Sequence, residues 1–500
     1  MKFIKYDSGI LTFPMLSDTL NLSVGHLTDL AEKRGDIMRE KVLEEWLNRK
    51  LKRRFGNRVR ARVKGRIIQV YGTLSCWEDI IAACQMCVVK EHGMHVVNDI
   101  RLKGRQMPRM RVPSLKDDSL EGRPKMSNIV RMAFKAAGME ETANLQFQKS
   151  HCNWIRQKEP EIWEKTDKFL LLSGYLVYCL TGQTADAAAS MVGHIPYDSK
   201  TRNWQKQGAL TRPVFPVEEE KLCRIVESGE IFGVITEKAS ADSGLPEGLP
   251  VIAAGSDKAC EVMGMGCIDK ETAAIGLGTT ATITFNIGQY LEPERFIPPY
   301  DSIMPGYFNP EFEIFRGYWM ISWFKKEFAE KEVVQAAREG CSAEELLNRR
   351  LEEIPAGCDG LLFQPYFTPN ITMPTARGAV IGFSDRHTRI HIYRAIIEGI
   401  NFALMDGMRL MEHRSGHKFR EIRLGGGASQ SDQICQITAD MFGIPTVRTQ
   451  THEVAGAGCA LTAFVGLGVF KDYREAVEAM VRKQDVFEPD LKQHVIYERL

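Results

Sequence analysis

No sign of charge dominates this 500-residue chain: Lys and Arg number 65 against 64 Asp and Glu, a formal net charge of +1. That balance removes the global pull toward nucleic acid or acidic membranes, and neither is expected as a partner. Long apolar runs are missing too. The longest, "FLLLSGYLVYCLTG" (Phe169 to Gly182), is broken by Ser and Gly and falls short of the ~20 residues that span a bilayer. A buried helix is expected there. The start, "MKFIKYDSGI", has no apolar core of signal-peptide length, which points to a cytoplasmic protein. The 12 cysteines are not spaced as a disulfide framework, so free thiols in a reducing compartment are expected. One cluster, "CQMCVVKEHGMH", holds Cys84, Cys87, His92 and His95. These are zinc-ligand types, but the gap between the pairs is shorter than ordinary finger spacing, and no metal ligand is assigned anywhere on the chain. There is no internal repeat and no low-complexity segment.

What is there is length and alternation. Five hundred residues exceed one ordinary core, so two or three domains are expected. From about Leu145 onward strand-like and helix-like segments alternate, which argues an α/β architecture. "EPEIWEKTDKFLLLSGYLVYCLTG" reads as two helices, the second capped by Asp167. "LPVIAAGSDKACEVMGMGCI" reads as a strand over 251–254, a turn and a helix of small residues, and "ETAAIGLGTTATITFNIG" as a β-hairpin. "RIHIYRAIIEGINFALMDGMRLMEH" is a long helix whose apolar face carries Ile392, Ile396, Ile400, Phe402 and Leu404. A short strand ends at Gly425, an amphipathic helix follows, and "HEVAGAGCALTAFVGLGVF" closes the series as a final helix of small residues that can approach a neighbour closely. The first 125 residues break the pattern. "NRKLKRRFGNRVRARVKGR" (Asn48 to Arg66) is basic with no acid, which reads as a solvated face or an unfolded stretch before a phosphate-binding strip. No alternating strand is expected there.

Three stretches offer chemistry. Gly425, Gly426 and Gly427, followed by Ala428 and Ser429, stand between strand and helix. Glycines without Cβ let a ring or phosphate lie on the backbone, and unpaired amides at a helix start attract anions. Ser429 or Ser431 can cap, and Asp432 suits the helix dipole. An ordinary tight turn explains the run equally well. Gly276, Gly278, Thr279 and Thr280 form the tip of the hairpin, where amides and hydroxyls can clamp phosphate oxygens, although a plain turn is the simpler reading. Asp257 follows a strand end, where open α/β sheets present catalytic groups, and can accept the proton of an attacking hydroxyl. A helix N-cap is the competing role. Lys258 beside it can steady phosphate charge or face solvent.

Their order is more specific than any one of them. Asp after a strand, a Gly-Thr hairpin about twenty residues on, then a distant Gly-Gly-Gly-Ala turn resembles the FGGY carbohydrate kinases. "GAVIGFSDRHTRIHIYRAIIEG" resembles that family's second signature at Gly378, Val380, Gly382, His391, Ile392, Ala395, Ile396, Ile397 and Glu398, with Phe383 a departure. The helix pair ending Leu-Thr-Gly and the small-residue helix after the glycine turn resemble family elements as well, and the likeness covers roughly residues 146–486. It implies an actin-like (ribonuclease H-like) two-domain α/β ATPase fold with an inter-domain nucleotide cleft. Residues 1–250 would form the sugar side and 251–490 the nucleotide side. It implies phosphorylation of a sugar or polyol hydroxyl with ATP and Mg2+. Asp257 would be the catalytic base, Gly278 and Thr279 the phosphate loop, and Gly425, Gly426, Gly427 and Ala428 the adenosine turn. A homodimer stays among the allowed assemblies.

The chain departs from the family at its start. The expected Asp-x-Gly-Thr hairpin is "YDSGILTF", with Asp7 and Gly9 in register but Ile10 in place of Thr, and no Trp-x-Asp-x-Arg sugar loop precedes residue 125. A divergent domain, a degenerate one that leaves a catalytically inactive sugar- or nucleotide-binding relative, and a slipped reading frame recovering near Glu121 all fit. The arginine density favours the last.

Overall fold

The computed structural model of the protein describes residues 36–64, 67–75, 77–87, 95–102, 122–193, 195–294, 297–368, 373 and 375–500. Two compact units divide the chain, Met1–Ser119 and Leu120–Leu500. Asp7, Gly9 and Ile10 lie outside the described residues, as do residues 103–121 of the region before residue 125 where a sugar loop is expected.

In the first unit, α1 (Asp36–Phe55) leads through a 3-10 turn into β1 (Val59–Lys64), then β2 (Ile67–Leu74), α2 (Trp77–Met86) and β3 (His95–Leu102). β1 pairs antiparallel with β2, and β2 pairs parallel with β3. Leu47, Leu51 and Phe55 recur at i, i+4 and i+8 on α1, and all three are buried against Val59, Ala61, Val63, Ile68 and Val70. The expectation that this region lacks an alternating strand is corrected here. In β1 every second residue is buried, so Arg60, Arg62 and Lys64 face out while Val59, Ala61 and Val63 face in. The basic residues are the solvated half of a period of two. β1 is an edge strand, and α1 occupies some of its free backbone groups: Asn48 donates to the Ala61 carbonyl (2.8 Å) and accepts from its amide (2.9 Å), while the Glu44 carboxylate accepts from the Val63 amide (2.8 Å).

The second unit opens with five short helices, α3 (Asn128–Ala136), α4 (Glu140–Lys149), α5 (His151–Lys158), α6 (Pro160–Lys165) and α7 (Leu172–Thr181). Asp167 is not the cap of α7, whose first turn follows Leu171. Residues 166–171 lie outside both helices, and the Phe169 amide donates to the Lys221 carbonyl (2.8 Å). Nor is α7 wholly buried: Gly174, Val177 and Thr181 face inward, whereas Leu172, Leu176 and Tyr178 are exposed. Among the described residues no helix is long and apolar enough to cross a membrane.

Next come β4 (Pro250–Ile252), α8 (Asp257–Gly264), β5 (Thr272–Leu277), β6 (Ala281–Phe285), β7 (Glu311–Ile314), α9 (Trp319–Phe328), β8 (Ala379–Ile381), α10 (Arg389–Ser415), β9 (Glu421–Gly425), α11 (Asp432–Phe442), β10 (Thr446–Thr449) and α12 (Val454–Gly466). The chain continues after α12, through α13 (Tyr473–Met480), β11 (Lys483–Phe487) and α14 (Leu491–Tyr497), so α12 is not the final helix. A six-stranded sheet runs β7-β6-β5-β9-β10-β11. Its centre, β5-β9-β10, is parallel, and the outer pairings are antiparallel. Every residue of β5 is buried, as a strand covered on both faces requires. Ala273, Ile275 and Leu277 meet the core built on α10, where Ile396, Ile400 and Leu404 are fully buried; Ala274 meets Val262, Met265 and Val454 of the opposite layer.

That opposite layer is α8 crossing α12 at backbone contact. A Cβ on Gly264 would lie 1.8 Å from the Val454 carbonyl oxygen, and one on Gly458 would lie 1.9 Å from that of Cys260. The expectation that the small residues of α12 permit close approach holds here in atomic detail. Gly458→Val is expected to lower stability by about 3 kcal/mol, read as a fall in thermal midpoint. Gly427→Ala, where nothing lies within 4 Å of an added Cβ, is the matched control, and equal midpoints would contradict the packing argument.

Candidate active site

Ser256, not Asp257, caps α8: its hydroxyl accepts from the Ala259 amide at 3.2 Å. Asp257 is therefore the first helical residue, exposed, with Oδ1 accepting from the Lys258 amide at 3.0 Å. The next turn points at the sheet. Lys258 Nζ meets Glu261 Oε2 at 2.7 Å. A Cβ on Gly276 would lie 3.0 Å from that Glu261 oxygen, 3.4 Å from Lys258 Nζ and 2.9 Å from the Thr282 hydroxyl. Gly276 thus leaves room for two side chains of the helix that begins with Asp257.

The two backbone turns meet directly. Gly276 of β5 stands in parallel register with Gly425 of β9, so the hairpin tip at 278–280 and the glycine turn leave the same edge of the sheet. Gly426 has φ +88° and ψ 172°, a backbone open essentially to glycine. A Cβ there would fall 2.9 Å from the Leu277 carbonyl carbon and 3.2 Å from the Gly278 amide. The hairpin tip is held from behind, since the carbonyls of Gly278 and Thr279 accept from the amides of Tyr318 (3.0 Å) and Trp319 (3.4 Å) at the start of α9. Gly317 lies against Ala281, where its missing Cβ would fall 2.3 Å from the Ala281 amide nitrogen.

The glycine turn does not open straight into the helix, as its sequence suggested. Residues Gly427–Gln430 form a 3-10 turn, and α11 begins at Asp432 with Ser431 as its cap, accepting from the Ile434 amide at 3.3 Å. Ser429 is spent inside the turn, donating to the Gly426 carbonyl at 2.7 Å. Gly427 and Ala428 remain on its outer side, Gly427 exposed and Ala428 half-buried.

Charge gathers beside Gly276. Burial lowers the Lys258 ammonium, but Glu261, Glu311 and Asp257 outweigh it and the net shift is upward. Burial and the Glu313 charge push Glu311 well up, and Glu261 and Asp257 add to the effect. Tyr300 belongs to the same group; burial chiefly, then Glu311, Glu313 and Asp257, raise its hydroxyl. Sequence reading missed Glu261, Glu311, Tyr300 and Gly317. Only the Lys258–Glu261 pair, at i and i+3, carries a local signal.

A buried ionic knot fixes the segment after Tyr300. Arg202, in the left-handed region at φ +51°, binds Glu227 through Nε (2.9 Å) and Nη2 (2.7 Å) and Asp301 through Nη1 (3.1 Å). The Tyr197 hydroxyl also donates to Asp301. Burial raises the Asp301 carboxyl to about 6, with Arg202 and Tyr197 opposing. Two residues on, Ile303 Cδ1 would lie 2.8 Å from a Cβ on Gly255, in the turn that carries Asp257.

The second signature has structural roles. His391 and Thr388 form a reciprocal capping box at the start of α10. Glu398 is buried, paired with Arg394 (2.7 Å) and accepting from the Tyr497 hydroxyl (2.8 Å). Gly382, at φ +103°, lies against the Gly360 carbonyl. At the other candidate cluster, burial pushes Cys84 up to about 11, and burial with the Cys84 charge pushes Cys87 up to about 12. His92 lies outside the described residues, as does the side chain of His95. Among the described residues no group of three His, Cys, Asp or Glu side chains is placed to hold a metal ion.

Two family models match the chain: the N-terminal domain of the FGGY family of carbohydrate kinases over residues 136–264, and the C-terminal domain of that family over residues 273–467. Among curated proteins it is 34% identical over 319 residues to the uncharacterized sugar kinase YgcE of Escherichia coli (strain K12), spanning 63% of this chain and 64% of that one. It is 31% identical over 361 residues to a xylulose kinase of Staphylococcus epidermidis, spanning 69% and 68%. The chain thus spans about two thirds of the length of these relatives. Among solved structures it resembles a xylulose kinase from Lactobacillus acidophilus (TM-score 0.62, 21% identity, 74% and 75% coverage) and one from Rhodospirillum rubrum (TM-score 0.62, 22% identity, 76% and 76% coverage). The fold is the actin-like α/β fold of these kinases. Arg202→Met is expected to cost about 3 kcal/mol by leaving buried Asp301 without its cation, read as a lower urea midpoint. An unchanged midpoint would show that the knot does not anchor the segment beside Asp257.

Proposed function

Because the chain belongs to the FGGY family of carbohydrate kinases, we propose that it transfers the terminal phosphoryl group of ATP to a hydroxyl of a sugar, polyol or related small carbohydrate. The observation that carries this reading is the contact of Gly426 with Leu277 and Gly278: two turns about 150 residues apart in sequence share one backbone surface, beside the helix that begins with Asp257.

In this reading Gly425, Gly426, Gly427 and Ala428 carry the adenosine, because Gly427 has open space where a side chain would stand and a planar ring can lie on bare backbone. Gly278 and Thr279 face the phosphates with amides and a hydroxyl. ATP would bring Mg2+ to offset the charge of its phosphates, and an ion held mainly by phosphate oxygens needs few ligands from the protein. Asp257, exposed and at a helix start, takes the proton from the acceptor hydroxyl as that oxygen attacks phosphorus. Residues 251–490 serve the nucleotide and those before 251 the sugar. The xylulose kinase relatives make ketopentoses the first acceptors to try.

A second reading, nucleotide binding without transfer, draws on Ile10 and the unfound sugar loop. One experiment separates them. ADP release is followed over pentoses, hexoses, ketoses and polyols, alongside calorimetric ATP binding. We expect turnover with at least one acceptor, and Asp257→Asn should bind ATP normally while losing transfer by roughly three orders of magnitude or more. ATP binding without turnover across the panel selects the second reading, and full activity in Asp257→Asn removes the carboxylate from its role.

A further inference from the structure

The crossing of α8 and α12 brings together two thiols that the phosphotransfer reading does not use. Cys260 is buried, one turn after Asp257; Cys459 is exposed, one residue after Gly458. Their sulfurs are 3.6 Å apart although 199 residues separate them. The spacing is a consequence of the glycine contact. With no side chain on Gly458, its Cα side rests on the Cys260 carbonyl (1.9 Å to an added Cβ) and the next residue projects its sulfur alongside. A disulfide bond is about 2 Å long, so closing the gap brings the sulfurs together by ~1.5 Å, which is within the reach of side-chain rotation.

We propose that Cys260 and Cys459 form a vicinal dithiol site that reacts with a peroxide, or with a small disulfide, to give an intramolecular disulfide stapling the Asp257 helix to α12. Their environments divide the labour. Contact with the Cys260 thiol lowers Cys459 to about 7, whereas contact with Cys459 and burial push Cys260 well up. Among the described residues the other thiols whose acidity shifts all go upward, Cys267 and Cys435 to about 12. Cys459 is thus the solvent-facing nucleophile and Cys260 the protected resolving thiol.

With hydrogen peroxide, the Cys459 thiolate attacks one oxygen, the O–O bond breaks and hydroxide leaves to become water, giving a sulfenic acid. Cys260 then attacks the Cys459 sulfur and loses its proton, and the S–O bond breaks to release a second water. Two thiols and one peroxide become one disulfide and two waters. With a small disulfide the same attack releases one thiol, and resolution by Cys260 releases the second.

The test uses the full chain and does not depend on kinase activity. After a short exposure to hydrogen peroxide at pH 7.5, the intact protein should lose the mass of two hydrogens. Peptide mapping should find Cys260 joined to Cys459, and dithiothreitol should restore both. Cys459→Ser, at an exposed position, should abolish the cross-link. Cys260→Ser, which keeps a hydroxyl donor beside Cys459 but cannot resolve it, should leave Cys459 as a sulfenic acid captured by dimedone; should that variant fold poorly, wild-type mapping decides alone. Oxidation of Cys459 to sulfinic or sulfonic acid with Cys260 still free, or disulfides at other cysteines only, would overturn the proposal.

Discussion

The register of β5 against β9 is the constraint on which the candidate site depends. Gly276 opposite Gly425 makes the hairpin tip and the glycine turn emerge side by side from one edge of the sheet. Without Cβ atoms, Gly276 admits the ends of Lys258 and Glu261, and Gly426 lies on Leu277 and Gly278. A slip of one residue would place side chains in these gaps and turn the alternating faces of β5 around. The register is protected because both faces are committed: Ile275 and Leu277 to the core on α10, Ala274 to Val262 and Val454. Packing two layers deep holds the backbone surface still.

Much of this geometry was legible from local pattern. The hairpin announced itself by β-branched residues around Gly-Thr and the glycine turn by three residues without Cβ, while the cap of α11 was narrowed to Ser429 or Ser431, of which Ser431 takes the role. The close crossing of α8 and α12 was readable as small residues, though not which glycine meets which carbonyl. Other features had no local signal. Asp301 is about a hundred residues from Arg202 and Tyr197 and meets them only in the folded chain. Asp167 looked like a cap because the sequence does not show that Phe169 is tied to Lys221. The basic stretch failed for another reason: Val59, Ala61 and Val63 do alternate with Arg60, Arg62 and Lys64, but charge density hid a period of two.

The family signature around α10 supplies contacts that fix a helix in place. His391 completes a cap, Glu398 neutralises Arg394 and binds Tyr497, and Gly399 lies against the Phe363 carbonyl. Each helps set the position of a 27-residue helix that forms the floor of the sheet. Losing one of these contacts would therefore loosen the packing of α10 on the core it shares with β5 and β6.

Electrostatics beside Gly276 follow from the same close packing. Asp257, Glu261, Glu311 and Glu313 act on one another around a single ammonium, Lys258. Four full negative charges there would repel one another. Burial relieves the conflict by pushing Glu311 well up, so that this carboxyl favours its neutral form, while Lys258 keeps its charge against its own burial because Glu261 sits 2.7 Å away. The exposed member of the group, Asp257, stands at the first turn of the helix, outside this buried cluster.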